Sequence, residues 1–255
     1  MASSSIEWTD MTWNPTTGCD RTSPGCDNCY AATLAKRLKA MGHRKYQHDG
    51  KPATSGLGFG LTLHPDTIDI PRSWRSPRMV FVNSMSDLFH PDISLGFIRD
   101  VFDVMVETPR HTYQILTKRS KRLRELAEYL PWPNNVWMGV SIESQRYVFR
   151  ANHLRDVPAA IRFLSVEPML GPVSPNLEGI DWVIAGGESG PGCRVMDPTW
   201  PRALRDLCVL SGVPFFFKQW GGRTPRAGGR DLDERTWDQY PDGGNSDRLV
   251  GVAGG

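Results

Sequence analysis

The sequence predicts an α/β protein whose parallel sheet curls into a partial barrel of six or seven strands. Two observations support this prediction: short apolar runs alternate with helical patterns, and polar residues follow the apolar runs. The runs start roughly 20–34 residues apart, which is the length of a strand–helix unit. A chain of 255 residues suits one barrel, so we expect a single domain over residues 1–255.

Six segments have the composition of strands that are buried on both faces. They are rich in Val, Ile, Leu and aromatic residues, as strands of parallel sheets usually are. The predicted strands cover residues 79–84, 112–117, 136–141, 161–166, 181–185 and 213–217. Apolar residues at helical spacing predict helices over residues 95–105, 119–130, 145–155 and 198–210, with Ser94 and Asp197 as N-caps.

The polar residues at the strand ends favour a barrel over a doubly wound sheet. A barrel gathers the carboxyl ends of all its strands around one mouth, whereas a doubly wound sheet uses mainly those at its switch point. The polar ends include residues 83–87, 117–118, 141–143, 165–167 and 186–188. We therefore expect a functional site that draws on most of the strands.

Two segments interrupt the alternation of strands and helices. Residues 43–77 are rich in Gly, Pro, Lys and His, and we interpret them as an insertion after the first unit. Residues 221–255 are poor in apolar side chains, and we expect a lid or an irregular C-terminal extension there.

Composition excludes several classes of protein. A hydrophobic fraction of 39% argues against a disordered chain, and a net charge of +2 argues against a general polyanion binder. The apolar runs are far shorter than the roughly 20 residues of a membrane-spanning helix. The first residues lack the basic start and apolar stretch of a signal peptide, so we expect a cytoplasmic protein.

Three of the five cysteines form the most informative motif. Cys19, Cys26 and Cys29 follow the spacing C-x6-C-x2-C, and a helical pattern begins near the third. Clustered cysteines in a reducing compartment indicate a metal site rather than disulfides. Thiolates suit either an iron–sulfur cluster or zinc.

The two metals make different demands on the rest of the chain. A closed zinc site needs a fourth ligand, for which His43, His48 and His64 are candidates, whereas a cubane cluster can leave one iron open. Cys193 lies in a strand-end loop and could reach the mouth. Cys208 lies on the apolar face of a predicted helix, and we expect it in the core.

The cysteine segment resembles the cluster loop of radical S-adenosylmethionine enzymes, closest in style to the spore photoproduct lyase branch. The resemblance covers residues 14–31, with a cysteine spacing three residues longer than the usual C-x3-C-x2-C. Residues 83–91 and 116–120 are similar to that branch's polar segments after the second and third strands. Together with residues 165–172, the pattern resembles, over roughly residues 6–240, an uncharacterised phage and bacterial group at the edge of this superfamily.

This resemblance implies a radical S-adenosylmethionine type of barrel and its cofactors. Cys19, Cys26 and Cys29 would hold a [4Fe–4S] cluster whose open iron binds S-adenosylmethionine, the source of a 5′-deoxyadenosyl radical. It also implies an electron donor such as flavodoxin or ferredoxin, no membrane partner, and a substrate that is a nucleic acid or a nucleotide to be modified or repaired.

The resemblance also implies contacts for residues at the strand ends. The contacts with S-adenosylmethionine would come from Ser84, Ser86 and Asp87 for the amine, Lys118 for the carboxylate, Ser141 and Glu143 for the ribose, and Gly186 and Gly187 for the adenine. The candidate catalytic residues are Glu167, Asp87 and Glu188, with a salt bridge inside the mouth as the alternative for Glu167.

The nucleic-acid hypothesis uses two further features. Residues 118–124 hold five basic side chains, which form either a solvated helix face or a phosphate contact. Four tryptophans in predicted loops could stack on bases: Trp8, Trp13, Trp74 and Trp220. The alternatives are a zinc-stabilised nucleic-acid-binding or phage accessory protein without redox chemistry, and a radical enzyme that acts on a small molecule or peptide.

Overall fold

The computed structural model describes residues 4, 6–224 and 226–241, and it contains a seven-stranded parallel sheet with helices. The strands are β1 (Met11–Trp13), β4 (Met79–Val82), β5 (Thr112–Thr117), β6 (Val136–Ser141), β7 (Ile161–Val166), β8 (Trp182–Gly186) and β9 (Phe215–Gln219), in that spatial order. The sheet curls into a half-barrel, which confirms the α/β class and the partial barrel. All six predicted strands are present. The seventh, β1, was not predicted, because its three residues are too few to give a recognisable pattern.

Five helices connect these strands: α1 (Tyr30–Ala40), α2 (Leu95–Glu107), α3 (Ser120–Leu126), α4 (Phe149–Arg155) and α5 (Thr199–Leu210). Ser94 caps α2 as expected, since its hydroxyl accepts a hydrogen bond from the Phe97 N–H. Asp197 is not the N-cap of α5, because Pro198 occupies that position. The Asp197 carboxylate still accepts the Thr199 N–H at 2.8 Å.

The two faces of the sheet carry different layers of side chains. Because side chains alternate along a strand, one face packs against the helices and the other lines the inside of the half-barrel. The inner face is an aromatic floor made of Trp8, Met79, Phe81, Trp137, Phe163, Trp182, Ile184 and Phe216. The same alternation continues towards the carboxyl ends and brings polar residues to the inner face above this floor.

Gln239 and Tyr240 close the floor from below. Trp182 stacks on Tyr240, with ring centroids 5.1 Å apart, and its indole N–H donates to the Gln239 carbonyl. Residues 237–239 run antiparallel along β9, so the described part of the C-terminal extension covers the edge of the sheet. The remainder of the expected lid, residues 242–255, lies outside the described residues.

The predicted insertion supports the cysteine segment. It contributes β3 (Thr62–Leu63), which pairs antiparallel with β2 (Thr16–Thr17). The Phe59 carbonyl accepts a hydrogen bond from the Cys19 N–H. Residues 43–77 therefore build one wall of the region around the cysteines.

The tryptophans predicted to stack on bases have structural roles. Trp8, Trp13 and Trp74 are each less than 5% exposed, and the Trp13 indole donates to the Thr67 carbonyl. Trp220 is half-buried, and its indole donates to the Asp231 carbonyl. The expectation that these rings bind bases is wrong for the three buried ones, because their faces are covered by the core.

In the part of the chain that the structure describes, no helix has both the length and the apolar character needed to cross a membrane.

Candidate active site

The cysteine loop, defined here as residues 14–29, lies across the carboxyl ends of the strands. Its Gly18 N–H donates to the Met85 carbonyl after β4, and its Ser23 hydroxyl donates to Glu143 Oε1 after β6 at 2.5 Å. Further along, Asn28 Nδ2 donates to Glu188 Oε2 after β8 at 2.8 Å. The loop is thus anchored to three different strand ends around one mouth.

Two glycines let the cysteine loop approach its supports closely. Gly18 has a φ of +83°, and a Cβ there would collide with the Gly60 carbonyl of the insertion. A Cβ at Gly25 would collide with the Glu143 side chain. The glycines that precede the first two cysteines are therefore required because a side chain would not fit there, which the sequence alone does not show.

Each of the three candidate ligand thiols has a nearby hydrogen-bond donor. Arg119 Nη1 lies 3.2 Å from Cys19 Sγ, and the backbone N–H groups of Thr22 and Ser23 point to Cys26. Cys29 precedes α1 and receives backbone N–H groups from the first turn of that helix. Such donors stabilise anionic sulfur, whether as a thiolate or as a metal ligand.

The same surroundings set the acidity of the thiols. Burial, with the charge of Asp87, raises the pKa of Cys19 to about 12, and burial raises the pKa of Cys29. Burial also acts on Cys26, but the charge of Lys118 and the hydrogen bonds from Thr22 and Ser23 bring its pKa below the usual value. Cys26 is therefore the most acidic thiol of the loop.

Asp87 joins the ends of β4 and β5. Its Oδ1 accepts from the Thr117 hydroxyl at 2.7 Å, and its Oδ2 accepts from the Lys118 N–H and from Arg119 Nη1, the latter at 3.0 Å. Arg119 also donates to the Asp20 carbonyl, so it connects Asp87 with the cysteine loop. The sequence showed Arg119 only as one of five basic residues, and its contact with Cys19 was not predicted.

The two serines after β4 hold the start of the cysteine loop. The Ser84 hydroxyl donates to Asn14 Oδ1 at 3.2 Å, and the Ser86 hydroxyl donates to the Thr16 carbonyl at 3.0 Å. The Ser84 carbonyl accepts from the Tyr30 hydroxyl at 2.6 Å. Both predicted serines therefore contact the cysteine loop.

Glu143 is the centre of a buried ionic network. It is fully buried, and besides Ser23 it contacts Arg150 Nη1 at 3.0 Å and Lys118 Nζ at 3.5 Å. Arg150 also donates to the Ser141 carbonyl at 2.7 Å. The structure thus brings together three predicted residues, Lys118, Ser141 and Glu143, and adds Arg150, which had not been identified.

Glu188 has its oxygens occupied in a similar way. It forms an ion pair with Arg194 at 2.5 Å and accepts from the Arg194 N–H and from Asn28. Burial opposes its ionisation, but the hydrogen bonds from Arg194 and Asn28 hold its pKa below the usual value. Gly187 precedes it where a Cβ would collide with the Trp220 carbonyl.

Glu167 has a different environment. Among the described residues its carboxylate makes one side-chain hydrogen bond, to Lys218 Nζ at 2.5 Å, and both side chains stay partly exposed at 21% and 15%. Gly186 lies between them on β8, where a Cβ would contact both. The salt bridge that was the alternative for Glu167 is therefore present, and Lys218 was missed because the predicted strand ended one residue before it.

The histidines proposed as a fourth zinc ligand make other contacts. His64 Nε2 lies 2.8 Å from the Thr17 hydroxyl, His43 Nδ1 accepts the Lys45 N–H, and His48 Nδ1 lies 3.2 Å from the Leu61 carbonyl. Across residues 4, 6–224 and 226–241, no group of three or more His, Cys, Asp and Glu side chains converges on a point as the ligands of one metal ion would. A cubane cluster binds each cysteine through a different iron, so its three thiols need not converge. The donor set of the cysteine loop fits such a cluster in ligand type and in charge.

Fold and site together define a partial (β/α) barrel with a three-cysteine loop over its mouth. The chain belongs to a family described as a protein of unknown function, DUF5131, whose model matches residues 3–241. No curated protein matches the chain.

Among solved structures, the chain is similar to spore photoproduct lyase at low identity. A cysteine-to-serine mutant is 16% identical over 92% of this chain and 66% of that chain, with a TM-score of 0.45. A cysteine-to-alanine mutant with dinucleoside spore photoproduct is 14% identical over 75% and 58%, with a TM-score of 0.44. The lyase complexed with dinucleoside spore photoproduct is 13% identical over 76% and 59%, with a TM-score of 0.39. The chain spans about three fifths to two thirds of the length of these lyases.

Proposed function

We propose that this protein is a radical S-adenosylmethionine-type enzyme that modifies or repairs nucleic acid or a nucleotide. One observation carries the proposal: a loop with three cysteines is fixed across the carboxyl ends of parallel strands, and each sulfur faces a hydrogen-bond donor. Cys19, Cys26 and Cys29 would hold a [4Fe–4S] cluster. When bound, the cluster and S-adenosylmethionine would supply a 5′-deoxyadenosyl radical that abstracts hydrogen from the substrate.

The protein's own contribution begins with charge. A cluster with three thiolates is anionic, and Arg119 and Lys118 place two cations at the loop. Hydrogen bonds to cluster sulfurs and nearby positive charge raise the reduction potential. We propose that these two residues make one-electron reduction by a soluble donor, such as flavodoxin or ferredoxin, more favourable.

The second contribution is a polar rim above a dry floor. Lys118, which lies 3.5 Å from Glu143, would bind the carboxylate of S-adenosylmethionine, and the hydroxyl oxygens of Ser84 and Ser86 would accept from its amine. Glu143 is buried and engaged by Ser23, Arg150 and Lys118, so we assign it to fixing the cysteine loop rather than to contact with the ribose. The space beside Gly187 is filled by the Trp220 carbonyl, so that glycine serves the packing of its own loop rather than the adenine. The aromatic floor below excludes water from the radical.

The third contribution is the Glu167–Lys218 pair, which we propose contacts substrate. The pair lies on the inner face, partly exposed, and Lys218 lies two residues beyond the floor residue Phe216. Asp87 and Glu188 remain candidates, but their carboxylates are occupied by neighbouring donors. We therefore favour Glu167 as the acid or base of the site.

The metal content of anaerobically purified protein tests the proposal. We expect brown protein with about four irons and four sulfides per chain, and loss of both in the Cys19→Ser, Cys26→Ser and Cys29→Ser variants. Cys193→Ser and Cys208→Ala are matched controls that should keep the iron. Colourless protein that holds zinc, or full iron content in any of the three loop variants, would contradict the ligand assignment.

A further inference from the structure

A basic groove lies on the outer side of the cysteine loop, between the loop and the start of α3. Its volume is about 630 Å³, within the range of small-ligand sites. One wall carries Arg21 from the loop and Lys51 from the insertion, and the other carries Lys121 and Arg122. Arg119 lines the same groove.

The groove presents positive charge on both walls. Five cationic side chains line it, against the three carboxylates of Asp20, Asp92 and Glu125. Of these, Asp20 is engaged by the Thr54 hydroxyl and by His90 Nε2 at 3.1 Å, although its side chain is still 35% exposed. Arg21 pairs with Asp27, and Arg122 donates to the Pro91 and Ile93 carbonyls. The cations most available to a ligand are Lys51, which is exposed, and Lys121, whose side chain is 75% exposed.

The chemistry of the lining selects the class of ligand. Pro91 is the one apolar side chain among the eleven lining residues, so neither stacking on aromatic rings nor apolar burial can drive binding there. Guanidinium and ammonium groups on two facing walls suit phosphoryl groups, which accept hydrogen bonds from several directions. A recessed groove also favours a flexible, narrow anion over the broad surface of an acidic protein.

We propose that this groove binds phosphoryl groups of a nucleic-acid strand that extends beyond the reacting nucleotide. Arg119 links the groove to the site, since its guanidinium lines the groove and contacts Cys19. A strand held there would pass beside the cysteine loop with its backbone between Lys51 and Lys121. That this strand is the substrate rests on the proposed function, whereas phosphate binding in the groove does not.

Salt-dependent binding of a fluorescein-labelled single-stranded DNA 12-mer, followed by anisotropy, tests the groove. We expect the Lys51→Ala/Lys121→Ala double variant to lower the slope of log Kd against log salt by about 1.4, since each phosphate contact on a single strand contributes roughly 0.7. Affinity at 50 mM salt should fall about tenfold. The matched control is Arg75→Ala, a change of an exposed cation before the amino end of β4.

Further arms separate the alternatives. Pyrophosphate should compete with the DNA in the wild-type protein and lose this effect in the double variant, whereas a free-phosphate site would bind pyrophosphate without binding the 12-mer. Two results would overturn the proposal. One is an unchanged slope and affinity in the double variant. The other is a double variant that binds DNA as the wild type does but whose cluster flavodoxin no longer reduces. Iron content measured on the same samples reports the cluster separately, so the groove and the proposed function can fail independently.

Discussion

Glu143 and Glu167 occupy equivalent positions on neighbouring strands, since each lies two residues after one member of the paired residues Ser141 and Ser165. Glu143 is fully buried and binds Ser23, Arg150 and Lys118. Glu167 is partly exposed and binds Lys218. The same residue type at the same point of a repeating unit therefore supports the cysteine loop on one strand and remains open to the mouth on the next.

This difference shows that two carboxylates at one barrel mouth can have different roles, one structural and one in contact with ligand. A carboxylate that receives donors from a loop and a helix fixes both, and its lone pairs are then unavailable to a ligand. A carboxylate with one lysine partner can exchange that partner for a substrate. The comparison predicts that changes at the two glutamates separate stability from activity.

The largest effect is expected from Glu143→Ala. The change leaves the buried Arg150 without its carboxylate, and an unpaired buried charge costs roughly 3–5 kcal/mol. Urea unfolding should show this loss of stability. Iron content, measured separately, should also fall, because the Ser23 hydroxyl of the cysteine loop loses its hydrogen-bond acceptor. Glu167→Ala is the control at the equivalent position, and an equal loss of stability in both variants would break the comparison.

At Glu167 we expect a smaller change in stability and a larger change in activity than at Glu143. Glu167→Gln and Lys218→Met should each alter the free energy of unfolding by about 1 kcal/mol or less, because the pair is partly exposed. Both should keep the iron of the wild type and lose turnover of substrate. Retained turnover with nucleic-acid substrates would show that the pair is structural.

A third effect, on the pH dependence of stability, concerns the insertion that supports the cysteine loop. Burial, with the charge of Lys45, lowers the pKa of His64 to about 4. Between pH 4 and the ordinary value of 6.5 the unfolded chain binds more protons than the folded one, so stability should rise with pH across this window and level off above it. His64→Gln should reduce this slope in unfolding curves measured from pH 4 to 7. An unchanged slope would show that other histidines cause it.

The sequence predicted the layout of the mouth better than its contacts. Apolar runs revealed six strands, and the polar residues after them lie at the mouth as expected. Glu143 and Glu167 looked alike, however, because their environments depend on Ser23, Arg150 and Lys218, which lie far away in the chain. Lys218 was hidden by the apolar run that precedes it.

Other features depended on tertiary packing in the same way. The three-residue strand β1 is too short for a periodic signal, and it becomes a strand by pairing with β4. Trp13 was predicted in a loop where it could stack on bases, yet it lies in the core. The motif around Cys19 and Cys26 revealed the candidate sulfur ligands in the sequence. The steric role of Gly18 and Gly25 became visible only in the structure, where Gly60 and Glu143 lie against them.

The central claim is that the cysteine loop holds a cluster with an open iron at the mouth of the barrel. Electron paramagnetic resonance of the dithionite-reduced, anaerobic protein, recorded with and without S-adenosylmethionine, tests it most directly. We expect the signal of a reduced [4Fe–4S] cluster whose g values shift when S-adenosylmethionine is added. S-adenosylhomocysteine, which lacks the sulfonium, should yield no 5′-deoxyadenosine in turnover assays. A cluster signal that S-adenosylmethionine leaves unchanged, or no cluster signal at all, would contradict the account.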